Sequence, residues 1–121
     1  MAVHLEVVVD VADADRALAF WSAALGYRPY GNFAQYRSLV DPDGVGPKLV
    51  LQEVADAKDG KNRVHLDLHV ADVEAEVARL EGLGATRLDD APIAEAGTHW
   101  VRMSDPDGNE LCVVALRDPA S

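Results

Sequence analysis

The chain has 121 residues, the commonest size for one domain, and its 49% hydrophobic residues supply one core and leave no room for a second full domain. Eleven Lys plus Arg against 21 Asp plus Glu give a formal charge of −10. That charge repels nucleic-acid phosphates and the anionic face of a membrane, and it favours cationic or neutral small molecules as partners. No apolar run approaches the ~20 residues needed to cross a bilayer, no signal sequence opens the chain, and a lone cysteine, Cys112, excludes an intramolecular disulfide. A cytoplasmic location is expected.

In chain order, Val3 to Asp10 alternates apolar and polar residues as a half-buried strand does. A helix is predicted from Asp13 to Leu25: Asp13 caps it, Ala17, Leu18, Trp21, Ala24 and Leu25 recur at helical spacing, and Gly26 stops it. Tyr27 to Tyr30, Ala34 to Val40 and Lys48 to Val54 read as three short strands, the last two joined by the turn Asp41-Pro42-Asp43-Gly44.

The polar segment from Ala55 to Asn62 reads as a linker, after which the pattern starts again. It runs as a strand from Arg63 to Val70, a helix from Asp72 to Leu83 ended by Gly84, strands near Thr86 to Leu88 and at Thr98 to Ser104, a second Asp105-Pro106-Asp107-Gly108 turn, and a strand from Asn109 to Leu116. The chain is thus two copies of one βαβββ unit, about 1–54 and 63–121, an α+β fold in one domain. The two Asp-x-Asp-Gly segments are turns and not calcium loops, because an EF-hand needs glycine sixth and a carboxylate twelfth, where Gln52 and Leu116 stand.

The second-half strand places Arg63, His65, Asp67 and His69 on one face and Val64, Leu66, Leu68 and Val70 on the other; the first strand does the same with His4, Glu6 and Asp10. The helices need the apolar faces. The polar faces then either meet water or curl to enclose a cavity lined by imidazoles and carboxylates. Trp21 belongs to the core, whereas Trp100 is either core or an aromatic wall for a ligand.

The Phe20-Trp21 helix, the block Lys61-Asn62-Arg63-Val64-His65-Leu66-Asp67, the Leu83-Gly84-Ala85 helix end and the block Asp105 to Cys112 together resemble the vicinal-oxygen-chelate superfamily, which includes glyoxalases, bleomycin-resistance proteins and extradiol dioxygenases. The resemblance covers essentially the whole chain and is closest to the small glyoxalase-like branch. It implies two tandem repeats forming a curved mixed sheet around a cavity, and a homodimer.

In the metal enzymes of that superfamily, residues from the first strand of each repeat and from the last strands hold a divalent ion. The matching positions here are Glu6, Gln52, His65 and Cys112. His65 is the usual ligand type, Glu6 is a competent one, Gln52 is a weak neutral oxygen, and Cys112 stands where a glutamate is expected. Glu110, two residues earlier on the same strand face, is the substitute carboxylate. A thiolate from Cys112 favours zinc, while His65 with Glu6 and Glu110 suits a harder ion such as nickel, manganese or iron.

Two functions follow from the resemblance. The first is a binding protein that holds a small molecule in the cavity between the repeats, with Gln52, Asp67 and Trp100 as contacts and without the complete metal quartet. The second is a metal-dependent lyase, isomerase or dioxygenase in which Glu6 or Glu110 moves a proton.

Overall fold

The computed structural model describes residues 4–95 and 97–116, so Val3, where the sequence pattern opens its first strand, lies outside the described residues. The first repeat comprises β1 (Glu6–Val11), α1 (Ala14–Leu25), β2 (Arg28–Phe33), β3 (Tyr36–Val40) and β4 (Lys48–Glu53). The second comprises β5 (Leu66–Val70), α2 (Val73–Gly82), β6 (Thr86–Arg87), β7 (Ile93–Glu95), β8 (Thr98–Ser104) and β9 (Glu110–Ala115). The chain divides into two compact units between Lys58 and Asp59, inside the polar segment.

The expected mixed sheet resolves into two, one in each unit. The first has the order β1-β4-β3-β2 and the second β5-β9-β8-β6, with β7 added beside β8. In each, the first strand runs parallel to the last, and the remaining pairs are antiparallel. A parallel pair requires a crossover, and the helix supplies it while covering one face of the sheet.

Both helices start as their sequences dictate. The Asp13 carboxylate accepts from Arg16 N at 3.0 Å and the Asp72 carboxylate from Ala75 N at 3.0 Å, satisfying N–H groups that the first turn leaves unpaired. Gly26 ends α1 at φ +70°, its N–H donating to Ser22 O at 2.9 Å. Each helix then buries its stripe on its own sheet. Ala17, Phe20, Trp21 and Ala24 pack over β3 and β4, where Leu39, Leu49 and Leu51 are buried. Val73, Val77 and Leu80 pack over β8 and β9, where Val101, Met103, Leu111 and Val113 are buried. Trp21, 1% exposed, is core. Among the described residues no helix is long and apolar enough to cross a membrane.

Two elements differ from the sequence reading. β5 begins at Leu66, not Arg63, because the Asn62 side-chain amide donates to Val64 O at 3.1 Å and Arg63 and Val64 form a bend instead of continuing the ladder. β7 was not foreseen: Ile93–Glu95 pairs with β8 through Ile93↔Trp100, Ala94↔His99 and Glu95↔Thr98, folding back at Gly97, whose φ is +77°. Ala and Glu have little strand preference, so pairing with β8 makes this strand and its composition does not.

The two Asp-Pro-Asp-Gly turns close in the same way, with the glycine N–H donating to the first aspartate's carbonyl at 3.0 Å in both. In the second turn Asp105 is 3% exposed, and its Oδ1 accepts from Asp107 N at 2.9 Å and Asn109 N at 2.8 Å. Asp105→Ala leaves those part-buried donors without their acceptor and is expected to lower unfolding stability by about 1–3 kcal/mol, read as a drop in the urea midpoint at unchanged m.

Candidate functional site

Strand register shows which side chains share a face. In the second sheet Asp67 pairs with Cys112, and Cys112 with Arg102, so these three form one row across β5, β9 and β8. His69, Val114 and Trp100 form the next row. Side chains alternate along each strand, so both rows lie on the face opposite α2. A cavity of about 480 Å³ opens over that face, lined by both rows and by His65, Glu110 and Lys61. This lies within the usual range for small-molecule sites, about 300–1,000 Å³.

The polar groups are tightly coupled. His65 Nε2 lies 3.2 Å from Asp67 Oδ1. The Cys112 thiol donates to the Asp67 carboxylate. Burial, followed by the Asp67 charge and that hydrogen bond, pushes the thiol up to about 11, against the opposing pull of the Arg102 guanidinium. Donor atoms of His65, Asp67 and Cys112 all lie within 4.8 Å of one another, a nitrogen, oxygen and sulfur set that suits zinc. Glu110, half-buried at the start of β9, accepts from Asn62 N through Oε2 at 2.7 Å.

Arg102 is clamped from its other side. Its Nε lies 3.1 and 3.0 Å from the two Asp89 oxygens and its Nη2 2.8 Å from Oδ1, while its backbone N donates to Oδ2 at 2.9 Å. The hydrogen bond to Arg102 holds the Asp89 carboxyl below the usual carboxylate range, and the same bond raises the guanidinium, so both stay charged at every ordinary pH.

Of the residues singled out from sequence, His65, Asp67, Cys112, Glu110 and Trp100 therefore converge on one cavity. Glu6 and Gln52 belong to the first sheet, where Glu6 pairs in register with Lys48 and lies 3.5 Å from its Nζ, and Gln52 pairs with Asp10. Register also alters the correspondence between repeats. In the first sheet Val8 pairs with Val50 and Val50 with Ser38, so Val50, not Gln52, occupies the position of Cys112. Arg102, Asp89 and Lys61 carried no site role in the sequence, and His69 entered only as part of its strand's polar face; the alternation of β8 put Arg102 on the face of Trp100, which was the available signal.

A protein-family profile described as a glyoxalase-like domain matches residues 6–114. No curated protein matches the chain. Among solved structures, the chain is similar to the fosfomycin resistance protein FosX from Listeria monocytogenes, with a TM-score of 0.78 and 13% identity over 97% of this chain and 95% of that one. It is also similar to a glyoxalase/bleomycin resistance protein/dioxygenase family enzyme from Burkholderia phytofirmans PsJN, with a TM-score of 0.77 and 16% identity over 93% of this chain and 97% of that one. A glyoxalase/bleomycin resistance protein/dioxygenase from Nocardioides gives 0.75 and 14%, over 98% and 86%. At these identities the likeness is one of fold.

The thiol's environment makes a prediction. In metal-stripped protein, the rate of Cys112 alkylation by iodoacetamide should rise with pH along a titration centred at about 11. Asp67→Asn removes a negative charge and should move the inflection down, and Arg102→Leu should move it further up; an inflection near the ordinary thiol value in the unmodified protein would contradict the assigned burial.

Proposed function

Since this chain belongs to the glyoxalase-like domain family, we propose that it is a small-molecule-binding protein whose ligand occupies the cavity on the second sheet. The observation that carries this reading is the pairing, on one open face, of a hydrogen-bonding row (Asp67, Cys112, Arg102) with a flatter row (His69, Val114, Trp100). Binding sites are typically apolar surfaces with a few fixed polar groups, and this face has that composition. The cavity's own charges are mixed, with Asp67 and Glu110 against Lys61 and Arg102. The formal charge of −10 therefore does not transfer to the site, and a neutral ligand suits it better than a cation. The proposal includes the homodimer that the family resemblance implies, which sedimentation equilibrium tests.

A second reading rests on the His65, Asp67 and Cys112 cluster. These residues would hold a divalent ion, zinc by their chemistry, and the ion would supply Lewis-acid polarisation of a ligand oxygen. Glu110, with Oε2 tied to Asn62 N and facing the same cavity, is then the carboxylate placed to move a proton. Holding the ion requires the thiol to lose its proton, so metal affinity in this reading climbs with pH.

One pair of experiments separates the two. Calorimetry of metal-stripped protein with 2-naphthol is expected to show saturable binding of one molecule per chain, weakened by about threefold to tenfold in Trp100→Ala. Absence of binding until zinc is added, together with a zinc-induced rise in melting temperature that His65→Ala abolishes, would instead establish the metal-dependent reading; zinc at a hundred times its Kd adds about 2.7 kcal/mol.

A further inference from the structure

The small-molecule reading does not say what the ligand must carry, and the Arg102 clamp does. This step rests on that reading. Asp89 is 12% exposed and occupies the Nε and Nη2 edge of the guanidinium together with the backbone N–H of the same residue. Leu88 N donates to Arg102 O at 2.9 Å, pinning the segment between β6 and β7 that delivers Asp89. The arginine is thereby fixed in one rotamer. Among the described residues its Nη1 has no hydrogen-bond partner, while the side chain is 41% exposed and lines the cavity. At the same register position the first sheet has Ser38, which is buried.

We propose that Arg102, positioned by Asp89, anchors a carbonyl-type oxygen of an uncharged planar ligand whose ring lies along Trp100 and Val114. An anchored guanidinium donates a charge-assisted hydrogen bond without having to be ordered on binding. Its charge is already balanced by Asp89, and Asp67 and Glu110 line the same cavity, so a full negative charge on the ligand is repelled. A cation brings no acceptor to the Nη1 donor and meets the Lys61 ammonium. A neutral oxygen acceptor satisfies Nη1 without either penalty. Arg102 and Trp100 stand two residues apart on one strand face, about 7 Å, which is the reach of an acyl substituent on a ring stacked at Trp100.

The test uses metal-stripped full chain and four probes of one ring: acetophenone, ethylbenzene, benzoate and benzylammonium, each measured by displacement of 2-naphthol. Acetophenone is expected to bind about tenfold more tightly than ethylbenzene, which has the same shape without the oxygen, and more tightly than either charged probe. In Arg102→Leu and in Asp89→Asn the ratio of acetophenone to ethylbenzene affinity should fall to within about twofold, and Asp89→Glu should restore part of it. A general loss of packing would lower both probes together. Because Arg102→Leu leaves the Asp89 carboxylate without its partner, Arg102→Lys serves beside it: it keeps the charge but not the fork, and should lose most of the preference. Equal affinity for acetophenone and ethylbenzene in the unmodified protein, or tighter binding of benzoate or benzylammonium, would overturn the proposal while leaving the cavity's binding role intact. Failure of 2-naphthol itself to bind would instead remove the binding reading on which it rests.

Discussion

The parallel pairing of the first and last strands in each repeat, β1 with β4 and β5 with β9, constrains everything else. A parallel pair cannot be closed by a tight turn, so a helix must cross over the sheet and cover one of its faces. The strands alternate, so every second residue is then committed to the helix: Leu49 and Leu51 in one unit, Leu111 and Val113 in the other. The residues between them are left on the open face at fixed spacings. The core and the site are two consequences of one register, and a slip of one residue would exchange them.

Within the second sheet the open face carries an alternation of charge across the strands: Asp67, the Cys112 thiol, Arg102, and then Asp89 from the flanking segment. The thiol sits between a carboxylate that raises its pKa and a guanidinium that lowers it. Desolvation decides the outcome, because Cys112 is 8% exposed and a thiolate there loses its water, while most of the arginine's field is spent on Asp89, which it touches at 2.8 Å. Cys112 is therefore held as a protonated, weakly polar surface between two charged groups, which suits contact with a ligand and does not suit nucleophilic attack.

The parts legible in the sequence are those with a local physical cause. Asp13 and Asp72 cap helices that begin one residue later, the two Asp-Pro-Asp-Gly turns close where their composition requires, and β8 spans Thr98–Ser104 as its alternation indicates. His65, Asp67, Glu110 and Cys112 also fall on a common cavity. What escaped was set by partners distant in the chain. β7 exists because β8 offers it an edge. Arg102 in an alternating strand reads as a solvated charge until Asp89, which sits in an aperiodic segment, is seen to grip it. The match of Cys112 to Val50 and not Gln52 is likewise set by partners: Val45, Gly46 and Pro47 separate the first turn from β4 and Asn109 alone separates the second from β9, so the two last strands align only through Val8 and Asp67, with which they pair.

Comparing equivalent positions shows how one architecture carries two different open faces. The central row in the first sheet is Val8, Val50 and Ser38, and in the second it is Asp67, Cys112 and Arg102. The central row pairs in the same register in both, so the difference lies in side chains and in what stabilises them. A guanidinium on an open sheet face is ordinarily mobile and solvated, and ordering it costs about 2 kcal/mol of rotamer entropy. The second repeat meets that cost with the five residues Leu88 to Pro92 between β6 and β7, where β2 of the first repeat runs on through three, Tyr30 to Asn32, with a bulge. Asp89 is thus delivered from the point where the edge strand is interrupted, and the break between β6 and β7 and the fixing of Arg102 have one structural origin.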